Sequence, residues 1–199
     1  FNDGVNARIM DNSKTLKEYQ LLIEFGDESV LVFTVAMYGG IILHKGNYDN
    51  EYYAKSRSAV DIFSAEFKNY YEKTLTEAKQ NLSAKAFLAT EQRFPGIGNG
   101  VLQDILFTAY IHPKRKISTF GIEEKDRLLN SMIEVLENMI KNHGRDTEKD
   151  IFGDIGGYKV LLSRNTVGDG CPRCGNQIVK ETYLGGAVYY CPSCQPFIK

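Results

Sequence analysis

The hydrophobic pattern changes character along the chain. Gln20 to Phe25 and Val30 to Val35 are apolar and β-branched, with Gly26-Asp27-Glu28-Ser29 between them, which predicts two strands joined by a hairpin turn. A third apolar run, Gly40 to His44, follows Gly39 and reads as another strand. Residues 46–60 are rich in Asn, Asp and Tyr and read as loop, and residues 61–80 as a weakly patterned helix. Ser83 is placed to cap a helix through Lys85, Phe87, Leu88 and Glu91 that Pro95 stops. Gly96-Ile97-Gly98-Asn99 is a tight turn, and Asn99 is a suitable cap for a helix from Gly100 to about Tyr110, ended by His112-Pro113. Glu123 to Ile140 carries one apolar stripe, Leu128, Leu129, Met132, Ile133, Leu136, Met139 and Ile140, with acids in its first turn and Gly144 beyond its end. Residues 145–170, rich in Gly and Asp, read as loop, and Gln177 to Tyr190 alternates around Gly185-Gly186 as a two-stranded hairpin does.

This order predicts an α+β chain: a β-rich segment over residues 1–60, a helical domain over 61–165 and a small terminal module over 166–199. The apolar runs are strand-length, so none predicts a membrane span. The net charge of -1 does not advertise a nucleic-acid binder, but basic residues are clustered, at Lys114-Arg115-Lys116 and through the last segment, while acids gather in Asp146 to Asp154.

All 4 cysteines lie in the terminal module, as Cys171-Pro-Arg-Cys174 and Cys191-Pro-Ser-Cys194. Two such pairs flanking a hairpin have the spacing of a four-thiolate zinc site. A redox pair belongs at a helix start, and a disulfide framework belongs to secreted mini-proteins, whereas no signal peptide is visible here. Four thiolates leave no open position, so the expected Zn2+ is structural and holds a hairpin too small to bury a core of its own. Cysteines confined to a metal site also suggest a reducing compartment.

The Gly96–Asn99 turn offers backbone N–H groups at a helix start, a setting that suits an anion, although most such turns are simply turns. Asn99 adds a side-chain amide there.

Taken in order, Gly96-Ile-Gly-Asn99, Ile111-His-Pro113 and Cys171 to Gln195 resemble the helix–two-turn–helix, the end of its second helix, and the zinc finger of the formamidopyrimidine-DNA glycosylase and endonuclease VIII family. The resemblance covers Lys85 to Gln195 well and the preceding strands loosely. It implies a partial β-sandwich, then a helical domain and a four-cysteine zinc-finger hairpin, with double-stranded DNA containing damaged bases or abasic sites as partner. By the same resemblance, Asn99 and Lys85 contact phosphates; a helix cap and a solvated lysine are the plainer readings. Met37, in Val35-Ala-Met-Tyr-Gly-Gly40, corresponds to the wedge that replaces an extruded base, or is strand core.

Two departures stand out. The family's N-terminal proline nucleophile and its following glutamate have no counterpart, since the sequence opens on Phe1-Asn2-Asp3-Gly4. It therefore reads as the C-terminal part of a longer enzyme, with no catalytic residue of its own and inactive by itself. Second, Gly186 occupies the place of the family's fingertip arginine, leaving Arg173 and Lys180 as candidate sources of charge toward DNA.

The implied function is base-excision repair by a bifunctional glycosylase and AP lyase acting on oxidised bases, in a bacterial-type nucleoid and cytoplasmic setting. Gly153 to Tyr158 is the expected lesion-facing loop. A non-catalytic lesion-binding protein on the same scaffold, and a zinc ribbon for protein or RNA contacts, are the alternatives. Strands left with open edges further predict a dimer or another covering partner.

Overall fold

The computed structural model describes residues 1, 4–14, 17–36 and 39–198. The chain is α+β and divides into two compact units, Phe1–Tyr48 with Met139–Lys159, and Asp49–Asn138 with Val160–Lys199.

The first unit is built on three antiparallel strands, β1 (Val5–Asp11), β2 (Leu21–Glu24) and β3 (Ser29–Val35), in the order β1-β3-β2. Leu21 pairs with Phe33 and Val5 with Val35. The β2–β3 hairpin turns at Gly26–Ser29, where the Asp27 carboxylate accepts from the Ser29 N–H and hydroxyl, as a local Asx turn does. The central strand supplies the buried Val30, Val32 and Phe33, and Phe1 stacks on Phe33 with ring centroids 4.6 Å apart. Strand β1 lies outside the sequence expectation, because Val5–Asp11 mixes Asn, Arg and Asp into its apolar positions. Gly40–His44, expected as a strand, forms none.

The returning segment Met139–Lys159 completes this unit. Ile9 N–H donates to the Ile151 carbonyl at 2.7 Å, and Tyr158 N–H to that of Gly144 at 2.9 Å. At Gly156 the backbone passes so close to Gly144 that a Cβ would lie 2.1 Å from its carbonyl carbon, which requires glycine.

The second unit contains the helices. Helix α1 (Glu51–Arg57) lies where a loop was expected; it has no buried residue and rests on local devices, an Asn50 cap to Tyr53 N–H and a Lys55–Glu51 pair. Helix α2 (Phe67–Glu77) buries Phe67, Tyr71 and Leu75, one face at a spacing of four. Helix α3 (Ala84–Ala89) is capped by Ser83, whose hydroxyl accepts from Ala86 N–H at 3.2 Å, as its sequence predicts. Helix α4 (Asn99–Thr108) follows, and α5 (Ile122–Lys141) is the stripe-bearing helix.

Phe94, in the turn between α3 and α4, makes ring contacts with Phe67, Tyr70, Tyr71 and Phe87, and this aromatic cluster fixes the turn. Positive φ at Glu91, Gln92 and Gly96 lets the chain reverse there. Strands β4 (Val179–Tyr183) and β5 (Gly186–Tyr190) form the terminal hairpin, and β5 packs on α4.

Candidate nucleic-acid interface and metal centre

The four cysteine sulfurs gather into one cluster, all ligand atoms within 4.8 Å of one another. Cys171 Sγ lies 3.8 Å from Cys194 Sγ, and Cys174 Sγ 3.5 Å from Cys191 Sγ. A tetrahedral ion with Zn–S bonds of about 2.3 Å spaces its sulfurs by about 3.8 Å, so the donor set fits zinc. The separations are too long for disulfides, and the cysteines are free thiols. Each knuckle is closed by an N–H directed at sulfur, Arg173 N to Cys171 and Cys194 N to Cys191, both at 3.5 Å. Beneath them Phe107, Leu162, Ile178, Cys171 and Cys191 form a small buried cluster, so the hairpin is seated on α4 as well as on its cysteines.

The tip of the hairpin meets the start of α4 and the first turn of α3. Gly98, not Asn99, is the N-cap of α4, and Asn99 is its first helical residue. The Asn99 side chain is thereby free of capping and donates through Nδ2 to the Ala187 carbonyl at 3.1 Å. Gln103, one turn on and 1% exposed, donates to the same oxygen at 3.2 Å while its Oε1 accepts from Tyr189 N–H at 3.1 Å. Lys85 is not a solvated lysine: it is 6% exposed, and Nζ donates to the Tyr183 carbonyl at 2.6 Å. Burial lowers its pKa. A Cβ on Gly186 would lie 3.4 Å from Lys85 Nζ and 3.7 Å from Asn99 Oδ1, so both polar groups sit at contact distance from the hairpin tip.

Of the other expected contacts, Arg173 is held away from the tip. Its guanidinium carbon is 4.2 Å from the Phe107 ring centroid and 3.8 Å from that of Tyr110, and Nη1 donates to the Phe107 carbonyl at 2.9 Å. Lys180 is exposed on β4, opposite Tyr189. Met37 lies outside the described residues. The structure therefore brings together Lys85 and Asn99 and places Arg173 at the opposite end of α4.

Several contributors had no local sequence signal. Gln103 and Gln195 are lone glutamines inside otherwise unremarkable stretches, yet both are buried and bonded at both ends of their amides. Lys114 pairs with Glu181 of β4, which also accepts from the Tyr190 hydroxyl. His112, 4% exposed, packs its ring on Tyr190 and Phe197 and accepts at Nδ1 from Lys114 N–H. Burial first, with the nearby Lys114 charge, pushes its pKa down to about 4 against an opposing pull from Glu181.

A two-helix turn whose second helix carries a four-cysteine hairpin defines a zinc-finger-like arrangement of the helix–two-turn–helix type. No model of a known protein family matches the chain. Individual relatives do match. The chain is 32% identical over 145 residues to the formamidopyrimidine-DNA glycosylase of Prochlorococcus marinus (strain NATL2A), covering 70% of this chain and 50% of that protein. It is 33% identical over 124 residues to the Bacillus cereus protein of the same name, covering 60% and 45%. It thus spans about half the length of the curated relatives it matches. Its fold matches that of Lactococcus lactis Fpg in complex with abasic-site DNA at a TM-score of 0.79 and 22% identity, over 98% of this chain and 73% of that one. In sequence and fold the chain is similar to the formamidopyrimidine-DNA glycosylases.

Proposed function

We propose that this chain is the DNA-binding C-terminal part of a bifunctional DNA glycosylase and AP lyase, which removes oxidised bases in base-excision repair. The observation that carries this reading is the meeting of Lys85, Asn99 and the start of α4 at the hairpin tip. Two side-chain donors and a helix N-terminus face one small region, which is how a DNA phosphate is gripped without reading sequence. Asn99 Nδ2 and Lys85 Nζ now bond to hairpin carbonyls, and a phosphate would compete for the same protons. The names of the relatives, and the abasic-site DNA bound by the Lactococcus lactis protein, support this choice of ligand.

In this reading Zn2+ is held by Cys171, Cys174, Cys191 and Cys194 and supplies structure alone, since four thiolates fill its coordination. Lys180, exposed on the hairpin, is a further source of charge toward the duplex, and Gly153–Tyr158 is the proposed lesion-facing loop. Residues 1–199 alone are expected to bind and not to cleave. Exposed Ile23 and Phe25 at the edge of the sheet are the surface a second copy would cover. Among the described residues, no helix is long and apolar enough to cross a membrane, and a nucleoid setting follows from the proposed ligand.

The test is fluorescence anisotropy with duplex holding a tetrahydrofuran abasic analogue, beside undamaged duplex, at two salt concentrations. The expected result is tighter binding to the abasic duplex, weakened by salt, and weakened on both duplexes by Asn99→Ala. Binding that ignores both the lesion and Asn99→Ala would remove the reading.

A further inference from the structure

Both cysteine knuckles are fastened to the same short stretch of chain, the turn Phe107–Ile111 that ends α4. From the first knuckle comes Arg173. Its backbone N–H closes the Cys171 loop, while its guanidinium lies against the rings of Phe107 and Tyr110 and bonds the Phe107 carbonyl. From the second comes Gln195, fully buried directly after Cys194. Its Oε1 accepts from Cys191 N–H at 3.1 Å and its Nε2 donates to the Ile111 carbonyl at 2.9 Å.

The turn they hold is closed by its own backbone, Tyr110 N–H to the Phe107 carbonyl and Ile111 N–H to that of Leu106, around one residue of costly conformation. Tyr110 has φ +59°, in the left-handed region where glycine or asparagine is usual, and the residue is 45% exposed. Beside these backbone bonds, its ring meets the Arg173 guanidinium and, more distantly, that of Arg127, 5.9 Å from the ring centroid, whose Nε donates to the Ala109 carbonyl at 2.8 Å. A strained residue persists where its surroundings over-determine it.

We propose that Arg173 and Gln195 are positioning residues, a two-point latch through which occupancy of the four-thiolate site stiffens the C-terminal turn of α4. This rests on the zinc reading above. The physical reason is conformational entropy. Arg173 sits inside the first Cys-x-x-Cys loop, whose geometry is set when both of its sulfurs share one ion. Gln195 bonds the backbone of one ligand, Cys191, and orienting groups of that kind commonly change metal affinity by about 10- to 100-fold. Coupling of this sort is reciprocal: if metal stabilises the turn, the turn's contacts stabilise metal by the same factor. The hairpin tip already grips the first residues of α4 through Asn99 and Gln103, so the latch makes the finger hold this helix at both ends.

The test uses zinc-loaded protein with Arg173→Ala, Arg173→Lys and Gln195→Leu. Zinc stoichiometry is measured for each, then the rate of zinc transfer to a chromogenic chelator. In parallel, amide exchange is followed at Tyr110 and Ile111, whose N–H groups bond Phe107 and Leu106 carbonyls. The expected result is about 10-fold faster zinc release in Arg173→Ala and Gln195→Leu. Arg173→Lys is expected between these and the parent, because an ammonium keeps the charge but not the planar stack. Chelation should deprotect the two amides in the parent, and less so in the variants. Unchanged release and unchanged exchange in Arg173→Ala, whose side chain is exposed enough to be replaced without loss of folding, would overturn the latch alone. A parent chain that takes up no zinc would overturn the zinc reading and the latch with it.

Discussion

Asn99 and Ala187 are joined by a single hydrogen bond, side-chain amide to backbone carbonyl, that ties the first residue of a helix to the second residue of a hairpin strand. Gln103 reaches the same carbonyl and returns the favour by accepting from Tyr189 N–H. Replacing Gln103 by Leu removes both bonds inside a site with almost no water access. An unpaired buried polar group costs about 1–3 kcal/mol. Thermal or denaturant unfolding of Gln103→Leu is expected to show a loss in that range, and no loss would mean that the hairpin re-seats without it.

Lys85 has a carbonyl for its partner, and burial lowers its pKa. As a neutral replacement of similar length, Lys85→Met removes one cation from the proposed phosphate grip. DNA binding is expected to weaken, with the slope of log affinity against log salt reduced by about one. An unchanged slope would place Lys85 outside the interface.

Gly186→Arg tests the tip from the other side. The backbone of Gly186 is not left-handed, and the nearest neighbour of an added Cβ is the end of the Lys85 chain at 3.4 Å, which can move. The new cation beside Lys85 is expected to lower the melting temperature slightly while raising duplex affinity and steepening the salt slope by about one. A variant that is destabilised and binds no better would contradict this.

His112 makes stability depend on pH in a defined window. Its folded pKa, about 4, lies below the ordinary 6.5, so between these values the unfolded chain takes up a proton that the folded chain refuses. The stabilisation is complete above pH 6.5 and is lost as pH falls toward 4. At 4% exposure the shift corresponds to about 3 kcal/mol in order of magnitude. Chemical denaturation of the parent and of His112→Gln across pH 4–7 is expected to show a steeper acid loss in the parent, with thiolate protonation common to both. Parallel curves would refute it.

Gly156→Ala introduces a Cβ 2.1 Å from the Gly144 carbonyl carbon, against backbone that cannot rotate away. A loss above about 2 kcal/mol is expected from strain of this kind. Circular dichroism melts measure it, and a neutral result would show that the two strands of this loop can part.

What was legible in the sequence is what depends on neighbours along the chain. The cysteine pairs and the Ser83 cap are local signals that appear where their residues put them, and in α5 Leu128, Leu129, Met132 and Met139 are buried as the stripe predicts, while Ile140 is exposed and Val135, outside the expected stripe, is buried. Helix α1 was hidden because its support is a cap and an ion pair with no apolar face. Gly40–His44 looked like a strand but finds no ladder partner, and β propensity acts only through one. Asn99 illustrates tertiary override: a good capping residue is drawn one position into the helix, where the hairpin occupies its amide. Gln195 carries two bonds to residues distant in space, and nothing in its local sequence announces them.

The interleaving of the two units has a consequence for synthesis. The sheet near the start of the chain is tied to Ile151, so on a translating ribosome its strands must wait for well over a hundred further residues before that closure is available. The helical unit, begun in the interval, must in turn wait for Cys191 and Cys194. Such late long-range closures slow folding and leave open edges exposed to aggregation. Recombinant yield should therefore respond to slower translation and to zinc supplied during, and not after, expression.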